Sequence, residues 1–129
     1  MENVRDKLKK AKVHMKRALE ACNNEDSEEA VMWAFYAYEN AVVAAAERFG
    51  INWKKTHFSK AQVARDLYKK KYLSIDVGDK IEEFNSLRKD VQYDEPGPDL
   101  LSIDLQDMAA ELEDFIADVG KAIEGFDEE

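Results

Sequence analysis

The residue with the clearest chemical potential is an arginine that interrupts an apolar helical pattern. In the segment 77–94, apolar residues recur every three or four positions, and Arg88 occupies one of these positions. A guanidinium rarely enters an apolar face unless a carboxylate, a backbone acceptor or a ligand meets it. Two interpretations stay open: a buried ion pair within the core, or an arginine that faces phosphate.

A second polar interruption lies in the most apolar stretch of the chain. Between residues 30 and 46, the only polar side chains apart from tyrosine and tryptophan are Glu39 and Asn40. A helix that is apolar around nearly its whole circumference is predicted to be buried by neighbours, so these two side chains need partners. Glu39 is the natural partner of Arg88, and we expect Glu39, Asn40 and Arg88 to share one polar site.

His57 is a further candidate, in a segment predicted to be a loop. A histidine side chain can act in proton transfer, but a lone loop histidine is more commonly a hydrogen-bonded anchor, so we predict a supporting role. The chain has two histidines and one cysteine, with no spacing typical of a zinc site, and we predict neither a metal nor a cofactor. Cys22 falls on an apolar stripe, which predicts a small buried hydrophobe in a reducing cytoplasm.

The elements that must position these residues are helices. The chain has only two prolines and five glycines, so few residues break its helices. Between them run long segments in which apolar residues recur with the helical period of 3.6. We predict a single all-α domain, 1–129, folded as an up-and-down bundle of four long helices plus a short third helix. The predicted helices are 2–23, Asp26 or Ser27 to Phe49 with Gly50 as C-cap, 60–72 capped by Ser59, 77–94 opened by Asp76, and 101–126 after the breaker Pro96-Gly97-Pro98.

The charge of the chain is unevenly distributed. The net charge of −9 combines 15 basic against 10 acidic residues in 1–71 with 4 against 18 in 72–129. An acidic total argues against indiscriminate nucleic-acid binding, whereas the basic first half keeps a local RNA-facing surface open. The sequence shows no positively charged apolar leader and no membrane span, so we expect a cytoplasmic protein without a membrane partner.

Three segments in this order resemble the HEPN superfamily, the higher-eukaryote and prokaryote nucleotide-binding domain. They are MWAFYAYENAVVAAAERFG, KTHFSKAQVARDLY and LRKDVQYDEP. The resemblance covers essentially the whole chain and implies an up-and-down helical bundle that commonly forms homodimers. The superfamily includes metal-independent ribonucleases of toxin–antitoxin and defence systems, and non-catalytic partners of nucleotidyltransferases.

The resemblance also assigns residues near the end of the fourth helix. The ribonuclease members carry an arginine that is separated from a histidine by four to six intervening residues. Arg88 matches the arginine, but Tyr93, Asp94 and Glu95 occupy the histidine window. A tyrosine with a pKa of about 10 is a poor general base, so Tyr93 is predicted to donate a hydrogen bond or orient a phosphate, with Asp94 in support.

We therefore expect a nucleotide- or RNA-binding or regulatory module of toxin–antitoxin or defence type, without catalysis. One alternative is a metal-independent endoribonuclease in which two Arg88 side chains meet across a dimer cleft and stabilise the phosphorane. Another is an interaction protein that partners a nucleotidyltransferase or a toxin. The expected partners are a second copy of the chain, RNA or a nucleotide, and a nucleotidyltransferase or toxin–antitoxin protein.

Overall fold

Helices make up all the regular structure in the described part of the chain. The computed structural model describes residues 3–92 and 102–127, and no β-strand occurs in those two ranges. The helices are α1 Val4–Asn23, α2 Ser27–Arg48, α3 His57–Lys69, α4 Gly78–Gln92 and α5 Leu105–Asp127. The predicted all-α class and five-helix bundle are therefore confirmed.

Local signals explain both ends of α2. The Asp26 carboxylate accepts a hydrogen bond from the backbone N–H of Glu29 at 3.1 Å, as expected of an N-cap. Gly50 follows the helix in the left-handed conformation, with φ +70°, and the N–H of Ile51 donates to Ala46 O at 2.8 Å. This geometry satisfies the last carbonyl groups and favours glycine at position 50.

Helix α3 begins three residues earlier than predicted. Thr56, not Ser59, is its N-cap, because the Thr56 hydroxyl accepts from the backbone N–H of Ser59 at 3.1 Å. The Ser59 hydroxyl instead accepts from the backbone N–H of Lys54 at 2.9 Å. His57 is therefore the first residue of a helix and not part of a loop.

The turn between α3 and α4 also differs from the prediction. Helix α3 ends at Lys69 and not at position 72, because Lys71 adopts a left-handed conformation with φ +65° that reverses the chain. Helix α4 begins at Gly78, where a Cβ atom would lie 2.6 Å from Cγ of Arg65. The close approach of α3 to the start of α4 therefore requires glycine at this position.

The last helix starts later than predicted. Helix α5 begins at Leu105 instead of position 101, because the Asp104 carboxylate caps it by accepting from the N–H groups of Gln106 and Asp107 at 3.0 and 3.1 Å. The predicted end of the fourth helix at position 94 and the breaker 96–98 lie outside the described residues.

Helix α2 is the central element, as its apolar sequence predicted, and it contacts each of the other four helices. Tyr38 is 1% exposed and lies with its ring centroid 5.8 Å from that of Phe84 on α4 and 5.5 Å from that of Phe115 on α5. Burial raises the pKa of Tyr38.

On α1, Cys22 is half-buried against the core, and burial raises the pKa of its thiol.

One stripe of α2 remains open to solvent. Between residues 30 and 46, all side chains are buried except four that are half-exposed: Met32, Trp33, Tyr36 and Asn40. Asn40 follows Tyr36 by four residues, and Tyr36 follows Trp33 and Met32 by three and four, which places the four on one face of the helix. The central helix therefore presents a narrow, half-exposed surface, partly covered by His14 and Arg17 of α1.

Candidate functional site

Arg88 lies on the face of α4 that carries the buried Ile81, and it is itself half-buried. Its Nη2 donates to Oδ1 of Asn85 at 3.1 Å, and its guanidinium carbon lies 5.1 Å from the ring centroid of Phe35. Nε of Arg88 is buried and has no hydrogen-bond partner among the described residues. Two neutral groups therefore surround a partly buried positive charge.

Glu39 is occupied by cations of α3. Its carboxylate is buried, with Oε2 2.6 Å from Nδ1 of His57 and Oε1 3.5 Å from Nζ of Lys60. The predicted pairing of Glu39 with Arg88 is therefore wrong. Because α3 begins at position 57, His57 and Lys60 stand one helical turn apart and both reach the central helix.

His57 is hydrogen-bonded through one ring nitrogen, and its side chain is partly exposed to solvent. Its side chain is 40% exposed, while that of Glu39 behind it is 8% exposed. Nδ1 faces Glu39, and no described residue bonds to Nε2. A carboxylate on one nitrogen fixes the orientation of the imidazole and leaves the other nitrogen to donate or accept a proton.

The ring of Phe35 joins these groups into one cluster. The His57 ring packs edge-on against Phe35 with centroids 5.1 Å apart, and the Arg88 guanidinium lies over the same ring. We call Phe35, Glu39, His57, Asn85 and Arg88 the Phe35 cluster. Sequence reasoning found three of its members and missed Phe35 and Asn85, although Asn85 stands three residues before Arg88 and therefore on the same face of α4.

Asn40 belongs to a different contact. Its Nδ2 donates to Tyr36 O at 2.9 Å and lies 3.1 Å from Nδ1 of His14 on α1. Burial, followed by the charges of Arg17 and Lys10, lowers the pKa of His14. Asn40 therefore bonds across the α1–α2 contact and not within the Phe35 cluster. This corrects the prediction of one shared polar site and adds His14, which sequence reasoning did not single out.

The remaining predicted site residues have no described position. Tyr93 and Asp94 lie outside the described residues, so their roles stay predictions. Within 3–92 and 102–127, no three histidine, cysteine, aspartate or glutamate side chains form a group that could hold a metal ion. No helix in the same ranges combines the length and the apolar character needed to cross a membrane.

The comparison with protein families decides which family this bundle represents. A family model described as the HEPN domain matches residues 4–124. The chain belongs to the HEPN domain family. A search of curated proteins finds no match to it. The matched range of the HEPN domain includes every member of the Phe35 cluster, and membership of the family indicates a nucleotide- or RNA-related function.

Proposed function

We propose that this HEPN domain binds RNA through Arg88 and does not cleave it. The charge of Arg88 carries the proposal, because its neighbours are an amide and an aromatic ring, with no carboxylate within ion-pair distance among the described residues. A partly buried charge without a partner is unfavourable, and a phosphate group supplies the missing negative charge. The planar guanidinium suits phosphate because its N–H groups match two phosphate oxygens at once.

Other partly buried cationic side chains of the fold differ from Arg88 because they form ion pairs. Four partly buried cationic side chains are neutralised by carboxylates, and the pairs are Lys7 with Glu47, Lys60 with Glu39, Arg65 with Asp79 and Glu82, and Lys80 with Glu111. Arg88 stands apart from these four. Its charge is therefore better suited to an external anion than to holding helices together.

His57 offers a second hydrogen-bonding group within the Phe35 cluster. It contacts the ring that Arg88 covers, and its Nε2 is directed away from Glu39. A strand of RNA whose phosphate meets Arg88 therefore finds a further hydrogen-bonding group on the neighbouring helix. This arrangement supports recognition of a backbone, which needs several donors, over recognition of a single small anion.

The proposal that the protein does not cleave RNA rests on the missing histidine of the ribonuclease motif. Metal-independent cleavage of RNA requires a group that removes the proton of the 2′-hydroxyl, and the window after Arg88 holds no histidine. A second candidate function, a metal-independent endoribonuclease, is favoured by one observation. His57, held by Glu39, is a proton-exchanging group that contacts the same ring as Arg88, which in that case stabilises the phosphorane.

Binding of a labelled RNA, followed by fluorescence anisotropy, tests the first proposal. Arg88→Gln is expected to weaken affinity by about tenfold or more, because it removes a charge-assisted contact to phosphate. The matched control is Lys89→Gln, which removes the same charge from an exposed neighbouring position of α4. The proposal fails if Arg88→Gln binds as wild type does, or if both variants lose affinity equally.

A cleavage assay in the presence of a chelator separates the two candidates. RNA incubated with the wild-type protein is expected to stay intact. Cleavage that is abolished in both His57→Gln and Arg88→Gln would replace binding alone with the endoribonuclease function. Cleavage that persists in both variants would point to a contaminating nuclease, and repurification followed by loss of that activity would restore the binding proposal.

The assembly and the protein partners stay predictions from the resemblance. We propose a homodimer as the assembled form, and the toxin–antitoxin or defence role and the nucleotidyltransferase or toxin partner remain hypotheses of the same origin. Light scattering tests the dimer, because one chain has a mass of 14.8 kDa. A mass of one chain at all concentrations would exclude it.

A further inference from the structure

Aromatic rings form a continuous row across α2, from α1 to α3. The row consists of Trp33, His14, Tyr36, Phe35 and His57, and successive ring centroids lie 5.4, 6.0, 5.8 and 5.1 Å apart. We call these five rings the aromatic row. It joins the two histidines of the chain, which bond to the neighbouring residues Asn40 and Glu39 of the central helix.

Two arginines lie over rings of the aromatic row, one at its Trp33 end and one over Phe35, next to the His57 end. The guanidinium carbon of Arg17 lies 4.6 Å from the ring centroid of Trp33, and that of Arg88 lies 5.1 Å from the centroid of Phe35. Arg17 is exposed, and Arg88 is half-buried. No ion pair to a carboxylate is found for either arginine in the part of the chain that the structure describes. Cation–π contact therefore orients two positive charges along the aromatic row.

The aromatic row is partly open to solvent. His14, Trp33, Tyr36 and His57 are half-exposed, and Phe35 is buried beneath them. Trp33 and Tyr36 belong to the solvent-facing stripe of α2. A hydrogen bond of 2.8 Å from Nε1 of Trp33 to the Glu29 carboxylate fixes the indole, so its orientation is set before any ligand arrives.

We infer that the half-exposed rings of the aromatic row form a stacking surface for the unpaired bases of single-stranded RNA, whose phosphates contact Arg17 and Arg88. The inference rests on the proposed RNA binding and names the form of RNA. Unpaired bases stack on aromatic side chains and on guanidinium planes, whereas the bases of a duplex are covered by their neighbours. A duplex is therefore expected to reach the arginines but not the rings.

Tryptophan fluorescence tests the stacking directly. In the Trp53→Phe variant, Trp33 is the only tryptophan, and Trp53 lies outside the row, with Nζ of Lys7 and Lys60 at 5.6 and 6.0 Å from its ring centroid. A single-stranded RNA oligonucleotide is expected to quench Trp33. An RNA duplex and an abasic strand of equal length are expected not to quench it. Equal quenching by all three, or no quenching by the oligonucleotide despite binding, would overturn the inference.

Affinity measurements supply the second test. Tyr36→Leu is expected to weaken binding of the single-stranded oligonucleotide by about tenfold, the order expected for one lost stacking partner. The matched control is Tyr68→Leu, because Tyr68 is 47% exposed on α3 and lies outside the row. Arg17→Gln, at an exposed position, is expected to weaken binding severalfold, which keeps the test available if Tyr36→Leu fails to fold.

The two proposals fail in different ways. If Arg88→Gln weakens binding while Tyr36→Leu and Arg17→Gln match the Tyr68→Leu control, the stacking surface is wrong and RNA binding by Arg88 stands. If the wild-type protein binds neither the oligonucleotide nor the duplex, both are wrong. Circular dichroism of each variant confirms that its helical fold is intact.

Discussion

Arg65 and Arg88 contact α4 in opposite ways. Arg65 reaches across from α3, and its Nη2 donates to Asp79 at 2.7 Å and to Glu82 at 2.8 Å. These hydrogen bonds, first that of Glu82 and then that of Asp79, raise the pKa of Arg65. Arg88 projects from α4 itself towards α2, where it meets the Asn85 amide and the face of an aromatic ring.

The difference separates a structural arginine from one available to a ligand. Two carboxylates neutralise Arg65, which therefore fastens α3 to α4 without attracting further anions. Arg88 keeps its charge in a half-buried position where the described residues supply no counter-ion. Both arginines extend from one helix towards a neighbouring helix. They differ in the groups that they contact, which are carboxylates for Arg65 and neutral groups for Arg88.

The largest expected change in stability comes from the close contact beside Arg65. A Cβ atom on Gly78 would lie 2.6 Å from Cγ and Nε of Arg65 and 3.0 Å from the backbone oxygen of Ala61. Gly78→Ala is expected to reduce the free energy of unfolding by about 1–3 kcal/mol, as overpacking does, and to leave RNA affinity unchanged. Urea denaturation measures the first quantity, and anisotropy measures the second.

Gly120 provides the matched control for this substitution. It lies within α5, and a Cβ atom there would meet nothing within 4 Å. Gly120→Ala is expected to raise the free energy of unfolding by about 0.5–1 kcal/mol, because alanine has the higher helix propensity. Equal effects of the two substitutions would show that the contact with Arg65 is not the cause.

A single added carboxylate is expected to make Arg88 resemble Arg65. Asn85→Asp keeps the shape of the side chain and places a negative charge on the atom that lies 3.1 Å from Nη2 of Arg88. RNA affinity is expected to fall about tenfold, because phosphate must now compete with the new carboxylate. Ser86→Asp adds the same charge at an exposed neighbouring position and is expected to have a much smaller effect. Similar losses in both variants would indicate general repulsion.

The smallest expected effect concerns a histidine that also lacks a described counter-ion. Burial, then Arg17 and Lys10, lowers the pKa of His14 below 6.5. The unfolded chain therefore binds this proton more readily, so the stability linked to neutral His14 is present above about pH 6.5 and is lost as the pH falls below it. His14→Gln is expected to flatten the decline of unfolding free energy between about pH 7 and pH 5.5. Unfolding free energies measured by urea denaturation at several pH values supply the test. An equal decline with falling pH in the wild type and in His14→Gln would contradict this prediction.

Local sequence signals predicted most of the fold. The burial of most of α2 depends on a few neighbouring residues and was predicted correctly. Asp26 was one of two predicted N-caps, and the helix ends at Arg48 with Phe49 as its C-cap, one residue before the predicted C-cap Gly50. The start of α3 was not, because Thr56 and Ser59 are both good caps and the choice depends on the path of the loop, in which the Ser59 hydroxyl bonds to Lys54.

The sequence indicated which polar residues lie on buried faces but not which side chains they contact. Periodicity identified Arg88 and Glu39 as polar residues on buried faces, and both belong to the Phe35 cluster. Their pairing was wrong because the rotation of α3 and α4 about α2 decides which cation reaches Glu39, and no spacing within one helix encodes that rotation. His57 and Lys60 reach it instead.

The stabilisation of the protein by RNA tests the role of Arg88 most directly, since a ligand that binds the folded state raises the melting temperature. Single-stranded RNA is expected to raise the melting temperatures of the wild-type protein and of Arg65→Gln by equal amounts, although Arg65→Gln starts from a lower value. It is expected to raise that of Arg88→Gln by a clearly smaller amount, because affinity is weaker. An increase in Arg88→Gln equal to that of the wild type would contradict the assignment of Arg88 to RNA.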